Sequence, residues 1–129
     1  LTFSITLSLG SFSNLYPYFS KRFLPTSSNK DISKLVNKQW QMLITATKHL
    51  KNRGFIIYCV CSIISKEGEV QMKNFLEKYK NFSLEIPFQS IKNFGYLNRK
   101  IPSILISPNF FKEDGGIDGF FIACLKKNY

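Results

Sequence analysis

Phe55-Ile56-Ile57-Tyr58-Cys59-Val60-Cys61-Ser62-Ile63-Ile64 is an almost continuous apolar run with no alternation of polar and apolar positions. Strands exposed on one face alternate, whereas strands of an α/β sheet covered on both faces read as unbroken apolar stretches. The run therefore predicts a buried strand over 55–64 and an α/β class. The segment before it is helical in period. Ile32, Leu35, Val36, Trp40, Leu43, Ala46, Thr47 and Leu50 recur at three- and four-residue steps, with Lys34, Lys38, Lys48 and Lys51 largely off that stripe. Ser28 or Asn29 can cap the start, Asp31 suits the positive end of the dipole, and Gly54 can take the left-handed conformation that stops a helix. These signals predict a helix from Asp31 to Arg53.

After the run, Ser65–Gly68 reads as a turn. A second helix is expected from about Glu67 to Tyr79, with Met72, Phe75, Leu76 and Tyr79 on one face and Glu67 and Glu69 at its N-terminal end. Short strands are expected near Ser83–Phe88 and Ile101–Ser107, then a loop Pro108–Gly116 and a closing strand Ile117–Lys126. The first 27 residues stand apart: they contain no acid, no cysteine and one glycine, Gly10. Phe3, Ile5, Leu7 and Leu9 alternate with hydroxyl residues there, which suits either a half-buried strand or a frame-altered start. No positive n-region or small-residue cleavage site marks a secretory leader.

The 129 residues make one domain of ordinary size, and 44% hydrophobic against 20% charged residues excludes a disordered chain. Eighteen basic against eight acidic residues leave +10. A polyanionic partner, nucleic acid or a membrane surface, explains such an excess. So does AT-rich coding, since 15 of the 18 bases are Lys and Lys, Asn, Ile, Phe and Tyr supply 58 residues. No apolar stretch approaches the roughly 20 residues that span a bilayer. Three cysteines, two of them one residue apart, do not build a disulfide framework and suit a reducing, cytoplasmic setting. With His49 as the single histidine, no metal site is expected.

Open α/β sheets place ligands at the carboxyl ends of their strands, and Cys59-Val60-Cys61-Ser62 sits at that end. A thiol there is either a nucleophile, if a helix N-terminus or cation favours its thiolate, or a small apolar filler. Ser62 has neither a histidine nor an acid in sequence context for a triad. Gly115-Gly116-Ile117-Asp118-Gly119-Phe120-Phe121-Ile122-Ala123 is a glycine turn into a strand, without the Lys and hydroxyl of a phosphate loop.

Taken in order, Lys30-Asp31-Ile32 to Leu43, Gly54 to Ile64, Glu67-Gly68-Glu69 to Leu76, and Pro108 with Gly115 to Leu125 resemble the Sun/NOP family of RNA cytosine-5 methyltransferases. The resemblance covers residues 28–129 and leaves 1–27 unrecognised. It implies a Rossmann-like class I methyltransferase fold truncated to its C-terminal half. It also implies methyl transfer from S-adenosylmethionine to cytosine C5 in ribosomal RNA. Cys61 falls in register with the family's nucleophile, which adds to cytosine C6 and so activates C5; Cys59 and Cys124 remain fillers. Val60 departs from the family's Thr. The family's glycine-rich cofactor loop, ribose-binding acid and Asp-x-Pro-Cys loop have no counterpart in this sequence, so no residue is assigned to S-adenosylmethionine. Activity is then expected to need a complementary N-terminal chain. The alternatives are a non-catalytic basic RNA-binding module, with Lys48, Lys51, Arg53, Arg99 and Lys100 on phosphates, or a non-functional remnant of a split gene whose Cys61 strand keeps an open edge.

Overall fold

A computed structural model describes residues 3–6, 29–86, 96–98, 101–107, 109, 112–114 and 119–129. Its elements are β1 (Phe3–Thr6), α1 (Asn29–His49), β2 (Phe55–Val60), α2 (Glu69–Lys78), β3 (Phe82–Glu85), β4 (Tyr96–Asn98), β5 (Ser103–Ile106), a 3-10 turn (Lys112–Asp114) and β6 (Phe120–Lys127). The described strands form one sheet in the order β1-β2-β6-β5-β4, with β3 also on β6. β1 runs parallel to β2, pairing Phe3 with Ile56 and Thr6 with Cys59. All other pairings are antiparallel. β6 lies against β2 along one side; along the other, β5 pairs with its first half and β3 with its second. The open edge expected beside the Cys61 strand is absent, because β1 occupies it.

The core lies between one face of the sheet and the two helices. Ile56, Tyr58, Val60, Phe121, Ala123 and Leu125 from the sheet cluster with Leu43 and Leu50 and with Met72 and Phe75 of α2. Phe75 is its aromatic centre, stacked on Tyr79 with centroids 4.7 Å apart and edge-on to Phe82 at 5.2 Å and Trp40 at 6.2 Å. Burying each large side chain contributes roughly 1.5–3 kcal/mol.

Four expectations change. Burial along β2 alternates, with Ile56, Tyr58 and Val60 buried and Phe55, Ile57 and Cys59 only half-buried. Both described helices pack on one face, so apolar composition on the other face does not translate into full cover. That face carries the Lys126 ammonium 5.7 Å over the Phe55 ring, with the same group 3.8 Å from Glu85. Secondly, α1 ends at His49 rather than Arg53, and the left-handed residue is Arg53, at φ 61°, not Gly54. Gly54 is needed for space instead: a Cβ there would lie 2.7 Å from Leu50 Cδ1 and 2.9 Å from the Lys51 carbonyl oxygen. Thirdly, β2 stops at Val60, four residues short of expectation, and α2 starts at Glu69, two residues late. The intervening turn is held by bonds of its own, centred on Ser62 and Glu67. Finally, β4 is an unexpected strand. Its three residues, Tyr96–Asn98, carry too little pattern to register as one, and antiparallel pairing with β5 creates it. The expected loop of 108–116 and the start of the closing strand at Ile117 lie largely outside the described residues.

Candidate active site around Cys61

Cys61 is the first residue beyond the carboxyl end of β2, where the chain leaves the sheet and bends. The turn between β2 and α2 fixes its position. Ser62 is buried; its Oγ accepts the Ile64 amide at 3.1 Å, a local turn that competes with sheet pairing and ends the strand. The same hydroxyl donates to Glu67 Oε1 at 2.9 Å. Glu67 is fully buried, and its other oxygen accepts Gln39 Nε2 from α1 at 2.6 Å. Tyr58 on β2 donates its hydroxyl to the Glu67 carbonyl oxygen at 2.6 Å, with Gln39 Oε1 at 3.4 Å. The two helices are themselves joined by Gln71 Nε2 donating to the Val36 carbonyl at 2.9 Å. Glu67 is therefore the hub of a buried polar network in the turn, two residues before α2 rather than in its first turn. Its sequence signal was Gln39: a polar residue four before Leu43 on the apolar stripe calls for a buried partner.

The close approach of strand and turn explains Gly68, where a Cβ would meet the Phe121 ring at 2.7 Å. Beside the turn lies a shallow depression lined by Ile63, Ile64, Gly68, Leu105 and Phe121. Ile63 and Ile64 are exposed, presenting an apolar rim next to Cys61.

The three thiols are not equivalent. None is in a disulfide. Burial first, and the neighbouring Cys61 sulfur second, push the Cys59 thiol up to about 11, so at neutral pH it stays protonated. Burial, then the Glu85 carboxylate, raise Cys124 as well. Both suit the filler role. Cys61 is half-buried and lies at the strand end, the place where open α/β sheets hold their ligands.

The basic residues proposed for RNA fall elsewhere. Lys48, Lys51 and Arg53 are all exposed, but they sit at the end of α1 and the turn into β2. The six residues of β2, about 20 Å of extended chain, lie between the turn that carries Arg53 and Cys61. The structure does not bring these bases to the thiol. Lys48 and His49 also lie in the last helical turn, where positive charge complements the dipole. Arg99 and Lys100 lie outside the described residues.

These residues do not fit a cofactor cradle. Among the described residues every buried polar side-chain atom has a hydrogen-bond partner. The Glu67 carboxylate is taken by Ser62 and Gln39, and Glu69 pairs with Lys73 at 2.9 Å. The depression beside the turn is lined mainly by apolar side chains. Among the described residues no group of three His, Cys, Asp or Glu could hold a metal ion, and no helix is long and apolar enough to cross a membrane.

The sequence matches the family 16S rRNA methyltransferase RsmB/F over residues 23–126. It is 35% identical over 100 residues to ribosomal RNA small subunit methyltransferase B of Pectobacterium atrosepticum, covering 78% of this chain and 20% of that protein. It is 32% identical over 108 residues to the 25S rRNA (cytosine-C(5))-methyltransferase nop2 of Schizosaccharomyces pombe, covering 78% and 18%. The chain thus spans about a fifth of the length of the curated relatives it matches. Among solved structures, NSun6 from Pyrococcus horikoshii with SFG superposes with a TM-score of 0.64 at 23% identity, covering 79% of this chain and 24% of that one. A methyltransferase homologue from the same organism gives 0.62 at 21%, covering 78% and 33%. The described fold is accordingly part of a Rossmann-like methyltransferase fold.

Proposed function

Because the chain belongs to the 16S rRNA methyltransferase RsmB/F family, we propose that it carries the nucleophile-bearing part of an RNA cytosine-5 methyltransferase acting on ribosomal RNA. The observation that carries this reading is the position of Cys61, half-buried on a pinned turn at the carboxyl end of a strand flanked on both sides. Cytosine C5 is a poor nucleophile until a thiolate adds to C6. Addition of Cys61 Sγ there forms an S–C6 bond at the expense of the C5–C6 double bond and leaves C5 electron-rich; once C5 carries the methyl group, loss of the C5 proton restores the double bond and expels the thiolate. Burial raises the Cys59 thiol to about 11, which makes it a poorer source of thiolate than a thiol at its ordinary value. In this reading residues 28–129 are the C-terminal part of the catalytic domain, and the setting is cytoplasmic.

The methyl donor, S-adenosylmethionine by family, is held by groups outside the described residues. Activity then requires the cofactor-holding part of the fold, in a longer chain or a complementary one. Two measurements test this. Calorimetry of the purified chain with S-adenosylmethionine is expected to show no binding; micromolar binding would overturn the division of labour. In the enzyme completed with the cofactor-holding part, Cys61→Ala is expected to lower methyl transfer by at least about a thousand-fold. Retained activity would remove Cys61 from the mechanism.

A second reading, a basic RNA-binding module without catalysis, is favoured by Lys48, Lys51 and Arg53, exposed far from the thiol. On this reading RNA affinity falls with salt, and Lys48→Ala with Lys51→Ala lowers the log–log slope by about 1.4 for a single strand.

A further inference from the structure

Cys61 occupies a bend, and bends at strand ends move unless something holds them. Four residues hold this one: Ser62 and Glu67 within the turn, Gln39 from α1 and Tyr58 from β2. Ser62, its chain neighbour, has its hydroxyl proton committed to Glu67 Oε1 at 2.9 Å and its oxygen to the Ile64 amide at 3.1 Å. Glu67 is held in turn from α1 by Gln39 Nε2 at 2.6 Å, and its backbone carbonyl is held from β2 by the Tyr58 hydroxyl at 2.6 Å. Glu67 is fully buried and Ser62 nearly so, so water does not compete for these bonds. A fully buried carboxylate is costly to desolvate and would be replaced by an apolar side chain if packing alone were required. Its placement five residues after Ser62, with one oxygen accepting from the turn and the other from α1, gives it a positional task. We propose that Glu67 is the positioning residue for the Cys61 thiol: through Ser62 it fixes the turn so that Sγ is presented at the carboxyl end of β2 in one orientation. The functional meaning rests on Cys61 being the nucleophile, but the positional statement does not.

The two are separable because thiol alkylation needs neither RNA nor methyl donor. The rate of iodoacetamide modification is measured for Cys61 and Cys59 separately, by peptide mass spectrometry on the full 129-residue chain, with thermal melting in parallel. Glu67→Met keeps bulk but leaves Ser62 Oγ and Gln39 Nε2 without their acceptor. Opening the turn by one such hydrogen bond is expected to raise Cys61 alkylation about five-fold. Cys59, inside the strand, should not change. Glu67→Gln is the conservative rescue: its carbonyl accepts from Ser62, its amide donates to a turned-over Gln39, and the Gln39 amide faces the Tyr58 oxygen. Its Cys61 rate is expected within about two-fold of the parent. The proposal is overturned if Glu67→Met leaves the Cys61 rate within that range, if Cys59 rises in step with Cys61, or if Glu67→Gln behaves like Glu67→Met. Should Glu67→Met not fold, Ser62→Ala cuts the same link from the other end and carries the same expectation. The expected alkylation pattern combined with an active Cys61→Ala enzyme would sink the mechanism and leave the positioning intact.

Discussion

Replacing Gly54 with alanine puts a Cβ 2.7 Å from Leu50 Cδ1, 3.0 Å from Leu50 Cγ and 2.9 Å from the Lys51 carbonyl oxygen. None of these can easily retreat. Leu50 is buried in the core, and the Lys51 carbonyl already accepts the Gly54 amide at 3.0 Å. The turn is also tied to β6, with the Lys127 amide 2.9 Å from the Gly54 carbonyl and Lys127 Nζ 3.1 Å from that of Leu50. Overpacking of this kind costs about 1–3 kcal/mol. A chain of 129 residues has an unfolding entropy of about 0.27 kcal/mol/K, so Tm should fall by about 4–11 °C. Arg53 responds in the opposite sense. At φ 61° it bears the left-handed conformation, which costs a side-chain-bearing residue about 1–2 kcal/mol and glycine none. Against that, glycine loses about 0.5–1 kcal/mol more chain entropy on folding. Arg53→Gly is therefore expected to leave Tm unchanged or raise it by up to about 5 °C. Differential scanning calorimetry of both variants decides the matter. A lower Tm for Arg53→Gly, or an unchanged one for Gly54→Ala, would refute this division of roles.

Phe75→Ala removes the ring that Trp40, Tyr79 and Phe82 contact, and a loss of about 3–5 kcal/mol is expected from the urea midpoint. A loss below about 1 kcal/mol would mean that α2 does not dock as described. The raised Cys59 thiol gives a pH test. Its folded value of about 11 lies above the ordinary 9.0, so the unfolded chain gives up that proton first and stability falls as pH rises from about 9 to 11. Below about pH 8 this group contributes no slope. Melting temperatures across about pH 7–11 should show the decline, and Cys59→Ala should weaken it; an identical decline in that variant would assign it to other groups.

How much of this was legible beforehand depends on the kind of information each residue carries. Strong local periodicity marked α1, and a run of apolar residues marked β2, because both signals repeat within one element. The end of β2 was legible only roughly, since the strand stops at Val60, four residues before the apolar run does. β4 was not legible, because a three-residue strand is made by its partner rather than by its own sequence. Nor was the turn that separates Cys61 from α2. Its shape depends on Gln39, 28 residues before Glu67, and on Tyr58, nine residues before it. The sequence by itself determined the class of fold, the helix α1 and the strand β2. Only the tertiary structure decided that one face of β2 is better covered than the other, that Arg53 rather than Gly54 bears the left-handed turn, and that Glu67 is a buried anchor. The physical reason is range: helical period and apolar runs are written in neighbouring residues, whereas burial of a carboxylate is settled by donors that chain folding brings to it from other elements.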